Sequence, residues 1–172
     1  MESERGGGAR RPPGAGAIGT RQLGACRAGG GGSAADAQHL ATEYVVRYAV
    51  TRRPLAAVAL TTDSSLLTAA ANDLGFERVF ARQVEALCRP GDLLVLHSTS
   101  GESPNLLAAA GTAREGAVAT VAFLGRGGGA LARLVDEAIV VPSQDSGRIQ
   151  VIHLALEHLI VELVEAELTR GA

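Results

Sequence analysis

The chain has 172 residues, 47% of them hydrophobic but only 3% aromatic, so a single domain must build its core from Ala, Leu and Val. A net charge of -2 gives no electrostatic case for nucleic acid or an anionic membrane. Every one of the 16 basic residues is Arg, which excludes a Schiff-base lysine and a P-loop lysine. Cys26 and Cys88 stand far apart with no CxxC, a pattern that fits a reducing cytosol and no disulfide framework. No apolar run approaches the ~20 residues needed to span a bilayer.

Residues 1–28 are rich in Gly, Arg, Ala and Pro and read as a disordered tail, unable to offset their ordering entropy by burial. Residues 29–172 read as the folded domain. Ser33-Ala34-Ala35-Asp36 resembles a capping box, with a helix running to about Tyr48. Leu55–Leu60 reads as a strand, and Thr61–Ser64 caps a helix over Leu66–Asn72. A further helix covers Glu77–Leu87. Leu93–Leu96 is a buried strand that ends in Ser98-Thr99-Ser100-Gly101, and a helix follows from about Pro104 to Glu115. Val118–Leu124 is a third strand, followed by the glycine run 125–129 and a short helix near Ala130–Val135. Glu137–Val141 is a fourth strand. Ser146–Thr169 is a long helix, apolar nearly all round, as expected of a helix buried between layers or subunits.

Strands alternating with helices predict an α/β fold, a three-layer doubly wound parallel sheet. Ligands in such sheets bind outside the C-terminal strand ends. The serine turn lies at that edge, at a helix N-terminus whose first N–H groups lack internal partners and carry the positive end of the dipole. Ser98, Thr99, Ser100 and Ser103 add hydroxyl donors, so the turn suits a phosphate, although a serine-rich turn before a helix is also an ordinary cap. The glycine run reads as loop geometry and is no dinucleotide fingerprint.

His39 and Glu43, four apart, share a helix face. Gln150 and His158, eight apart, share a face of the last helix, and His153 points away from it. If the two helices meet, His39, Glu43, Gln150 and His158 can bind a divalent metal such as zinc. Alternatively, Glu43 and His158 serve as a base and an acid. A His-x-x-x-Glu pair is also commonly a solvated pair, and Gln150 and His158 can be ordinary buried polar groups.

Taken in order, several motifs resemble the sugar isomerase (SIS) domain family, and within it the phosphoheptose isomerases. They are Gly31-Gly32-Ser33-Ala34-Ala35-Asp36-Ala37-Gln38-His39, Ala59-Leu60-Thr61-Thr62-Asp63, Asn72-Asp73-Leu74-Gly75-Phe76, Phe80-Ala81-Arg82-Gln83-Val84-Glu85-Ala86, Ser98-Thr99-Ser100-Gly101 and Arg148-Ile149-Gln150. The resemblance covers about residues 29–169. It implies a SIS-type sheet and isomerisation of sedoheptulose 7-phosphate to D-glycero-D-manno-heptose 7-phosphate through an enediol(ate), as part of heptose biosynthesis in carbohydrate metabolism.

By the same resemblance Glu43 is the base and His158 the acid, and His39, Glu43, Gln150 and His158 are zinc ligands. Ser98, Thr99, Ser100 and Ser103 hold the phosphate. Gly29, Gly30, Gly31, Ser33, Glu43, Asn72, Asp73 and Gln150 are further substrate contacts. A cytoplasmic homotetramer with sites at subunit interfaces is implied as well. A related replication-initiator-associating protein keeps the fold and lacks the catalytic Glu and the last His. A non-catalytic sugar-phosphate-binding module of that kind is the alternative reading, and Glu43 and His158 favour the enzyme. Three departures stand out. Gly30 replaces the usual Asn of the glycine turn. Glu102 places a carboxylate inside the serine turn, where it repels phosphate unless it points away. Arg21–Ala28 is a poor strand, so the first strand and the N-terminal helices of the family look missing or degenerate.

Overall fold

The computed structural model describes residues 24–170. Five strands form one parallel sheet in the order β2-β1-β3-β4-β5: β1 (Ala25–Gly29), β2 (Ala57–Ala59), β3 (Leu93–Ser98), β4 (Ala119–Leu124) and β5 (Glu137–Val140). The helices are α1 (Gly32–Val45), α2 (Ser64–Leu74), α3 (Ala81–Leu87), α4 (Pro104–Glu115) and α5 (Ser146–Thr169). Helices α1 and α5 pack on one face, and α2, α3 and α4 cover the other. The doubly wound parallel architecture expected from the sequence is therefore present.

The first strand is not missing. Residues 25–28, assigned above to a disordered tail, belong with Gly29 to β1, which is flanked by β2 and β3. Its composition misled because a strand paired on both sides is held mainly by its ladder and its packing, not by intrinsic propensity. Cys26 and Ala28 are small enough to lie under the α3 and α4 layer, in one cluster with Val79, Phe80, Leu94, Leu96, Leu106 and Leu124. Arg27 points to the α1 and α5 face instead. The folded domain thus begins by residue 24; the remainder of the expected tail, and the place where helices would precede β1, lie outside the described residues.

The helix expected over Glu77–Leu87 is broken into a 3₁₀ turn at Phe76–Arg78 and α3. The short helix after the glycine run is a 3₁₀ turn at Leu131–Arg133. The expected capping box does not form. Helix α1 starts at Gly32 behind Gly31 (φ 57°), with no side-chain cap, and Ser33 is buried inside its first turn.

Helix α5 buries one stripe, Ile149, His153, Glu157, Val161 and Glu165, at the four-residue spacing of a helix face. Three of these five are polar, and each is paired. His153 Nε2 lies 3.0 Å from the Leu124 carbonyl oxygen. Glu157 pairs with Arg27 and His97. Glu165 accepts the backbone N–H groups of Tyr48, Ala49 and Val50 at 2.8–3.0 Å. Its outward side carries exposed Val151, Ile152, Leu159 and Leu163. Among the described residues no helix is long and apolar enough to cross a membrane.

Candidate active site

Chain order reverses between β1 and β3, because the path leaves β1 toward β2 and later leaves β3 toward β4. A crevice opens at the C-terminal ends of strands at such a switch point. Gly29 of β1 lies beside His97 of β3, so the glycine turn after β1 and the serine turn after β3 flank that crevice. The loop after β4 closes one side, and the first turn of α5 meets it.

The serine turn is tightly wired. Ser98 is buried, and its Oγ accepts the Gly101 N–H at 3.0 Å and lies 3.5 Å from Ser103 Oγ. Ser100 Oγ accepts the Glu102 N–H at 3.2 Å. Thr99 Oγ1 accepts from Ser146 Oγ at 3.4 Å. Gly101 has φ 68°, and a Cβ there would land on the Gly128 carbonyl oxygen. Glycine is required at this contact twice over, by the left-handed backbone and by the close approach. Gly101→Ala is expected to cost about 2 kcal/mol or more, and a thermal melt checks this; an unchanged midpoint contradicts the close packing of the two loops.

The same packing accounts for Glu102. Its Oε1 accepts the Ala130 N–H at 2.7 Å, so the carboxylate is drawn to the glycine loop. The glycine run is loop geometry, with positive φ at Arg126, Gly127, Gly128 and Gly129. At the other turn, a Cβ on Gly29 would strike the Ser33 backbone, whereas Gly30 and Gly31 have open space at that position.

Helices α1 and α5 run side by side in the same direction. Gly32 meets the Gln150 amide, and His39 meets His158, their Nε2 atoms 2.9 Å apart. The loop after α1 then reaches Glu165. Glu43 Oε1 lies 3.4 Å from His39 Nε2, and Glu43 Oε2 is buried without a hydrogen-bond partner. One donor atom from each of His39, Glu43 and His158 falls within 4.8 Å of the others, close enough to share one divalent ion. Tyr48 stacks on the His158 ring, centroids 5.4 Å apart.

Gln150 shares the α5 face with His158, but about 12 Å of helix rise separates them. Its amide lies against Gly32, nearer the serine turn. Asn72 and Asp73 are not brought to the cluster. They lie in the last turn of α2, exposed and bonded to each other at 2.7 Å, across the sheet from α1 and α5.

Several residues of the site carry no sequence motif. Arg52 donates to the carbonyl oxygens of Glu43 and Tyr44 at 2.7 Å each, at the C-terminus of α1, and its Nε lies 3.1 Å from Glu165 Oε1. That clamp fixes the turn carrying Glu43. Arg27, His97 and Glu157 form a buried layer beneath the cluster. Asp36, one turn before His39, has a buried oxygen without a partner. Burial lifts its carboxyl above the ordinary value, against the pull of His97.

Comparison with known proteins matches the chain and its fold. The SIS domain model covers residues 25–125, a span that starts at β1. A phosphoheptose isomerase of Roseiflexus sp. is 54% identical over 81% of this chain and 71% of its own. One from Aquifex aeolicus is 52% identical over 80% and 72%. The chain belongs to the phosphoheptose isomerase family of SIS-domain proteins. Solved family structures superpose on it: that from Neisseria gonorrhoeae with a TM-score of 0.79 at 44% identity, over 84% of this chain and 77% of the other, and that from Francisella tularensis with 0.80 at 34%, over 83% and 76%.

Proposed function

We infer that this protein interconverts sedoheptulose 7-phosphate and D-glycero-D-manno-heptose 7-phosphate. The observation that carries the reading is the meeting of Glu43 with His39 and His158 between α1 and α5 of a phosphoheptose isomerase fold. An aldose–ketose isomerase must move one carbon-bound proton between C1 and C2 and one proton between their oxygens. Glu43, with a buried oxygen free of hydrogen bonds, is suited to take the C1 proton and return it to C2. His158, oriented by the Tyr48 stack, is suited to the oxygen proton. The serine turn receives the phosphate on hydroxyl and α4 N-terminal donors. Gly29, Gly30, Gly31, Ser33 and Gln150 line the path between the two ends.

His39, Glu43 and His158 also have the donor types and spacing of a two-histidine, one-carboxylate site, whereas Gln150, two turns earlier on α5, stands outside that cluster. Zinc bound there would supply a Lewis acid for the enediolate oxygen. The reading extends to a cytoplasmic homotetramer, supported by the exposed apolar side of α5. Asn72 and Asp73 remain proposed sugar contacts.

A non-catalytic sugar-phosphate binder is not favoured, since both Glu43 and His158 are present and the relatives matched over most of the chain are isomerases. A coupled assay with sedoheptulose 7-phosphate, with and without added zinc, is expected to yield the aldoheptose phosphate. Substrate binding with no product under either condition would leave the binding module standing instead.

A further inference from the structure

We propose that Arg126 supplies the positive charge of the phosphate seat and thereby sets affinity and selectivity for phosphorylated substrate. The proposal rests on the reading of the serine turn given above. That turn offers only neutral donors, and hydrogen bonds from a charged donor to phosphate are roughly twice as strong as neutral ones. Arg126 leaves the end of β4 and donates from Nη2 to Ser146 Oγ at 2.7 Å. Ser146 Oγ in turn donates to Thr99 Oγ1. The guanidinium is therefore one hydroxyl removed from the serine turn, over the N-terminus of α5, whose dipole adds charge of the same sign.

The backbone at Arg126 is held in place. Its φ is 47°, in the left-handed region that a non-glycine residue occupies at a cost. Its N–H donates to the Ser143 carbonyl oxygen at 3.1 Å. A Cβ on neighbouring Gly125 would strike Ile149 and the Thr99 carbonyl oxygen, so this loop sits directly on the serine turn. Residues held in this region cluster at active sites and ligand clamps, although Ala117 shares it in the plain turn between α4 and β4, so the position of Arg126, rather than its strain, points to function.

The nearby carboxylates are engaged elsewhere. Glu102 accepts from Ala130 N–H, and Asp145 caps α5 through the Arg148 N–H at 2.9 Å. Arg126 itself is exposed and forms no ion pair among the described residues. A guanidinium has five N–H donors, and the one bond to Ser146 leaves most of them for an anion.

The test is steady-state kinetics on Arg126→Ala, Arg126→Gly and Arg126→Lys, with inorganic phosphate as a competitive inhibitor. Arg126→Ala is expected to raise KM for the sugar phosphate about tenfold or more and to weaken phosphate inhibition in parallel, with kcat held within about threefold. Arg126→Gly, which relaxes the backbone, should match Arg126→Ala, and Arg126→Lys should recover part of the loss. Unchanged KM and phosphate inhibition in Arg126→Ala overturn the proposal. If the wild-type protein shows no isomerase turnover, the functional reading fails by itself. Titration calorimetry with inorganic phosphate then still decides the role of Arg126: weaker binding in Arg126→Ala supports it, and equal binding removes it.

Discussion

Glu43→Gln is expected to lower kcat for sedoheptulose 7-phosphate by about 10²- to 10⁴-fold, the range that a positioned general base contributes. Gln keeps the shape of the side chain and one oxygen, so the contact with His39, 3.4 Å in the wild type, is replaced by a near-isostere. The amide cannot take a proton from carbon. The α1 turn is held independently of the carboxylate, because Arg52 binds the Glu43 carbonyl oxygen rather than the side chain. The melting temperature should therefore move little while turnover collapses. Turnover within about threefold of wild type, with the fold intact, would place the base elsewhere. His158→Gln provides the companion measurement. Its kcat should also fall, and because the ring is stacked on Tyr48 rather than buried beneath the helix, stability should again change less than rate.

The parts of this site that were legible in the sequence are those written as local patterns. The serine turn is a strand end running into a helix start, and strand, turn and helix appear where the residues place them. His39 and Glu43 are i and i+4, and the structure brings them together. His158 joined them only because α1 and α5 pack side by side, which no local spacing encodes. Helical spacing also misled at Gln150, since two turns put a residue on the same face but not at the same point. The first strand was illegible for a related reason. Ala25-Cys26-Arg27-Ala28-Gly29 has almost no β-forming side chains, and its place is fixed by neighbours that come later in the chain.

The buried polar layer left a fainter trace. Ile149, His153, Glu157, Val161 and Glu165 recur every fourth residue, and that period alone would have put two glutamates on the inward stripe of α5. His97 is a polar residue inside an apolar strand, which is the usual sign of a buried hydrogen bond. Arg27, the partner of Glu157, sat in the segment taken for a tail, so the charge that makes Glu157 tolerable inside was not visible beside it.

That layer sets the second large expectation. Glu157→Ala should destabilise the protein by about 3–5 kcal/mol, the usual effect of removing one partner of a buried ion pair. For a domain of this size that is a fall in Tm of about 10 °C or more. Arg27 and Glu157 are both almost wholly buried. Arg27 also lies over the Tyr44 ring, 4.8 Å from its centroid, and cannot swing out to water without giving up that contact. The loss would leave a guanidinium beside His97 and beside a small cavity lined by Val95, Val121, Phe123 and Ile160, with nothing to neutralise it.

Replacing Arg27 and Glu157 together, as Arg27→Met with Glu157→Leu, removes the unpaired charge together with its desolvation cost, and part of the lost stability should return, the rest being held back by the buried His97 Nε2 left without its partner. Acid provides an independent check. Burial alone would raise the Glu157 carboxyl, but the His97 hydrogen bond and charge, together with Arg27, outweigh it and hold it below the ordinary value. A carboxyl depressed on folding contributes stability above its unfolded pKa and loses it as pH falls through the folded one. The difference in Tm between wild type and Glu157→Gln should therefore be widest near neutral pH and shrink in acid. A difference independent of pH would mean that Glu157 contributes by its shape and not by its charge.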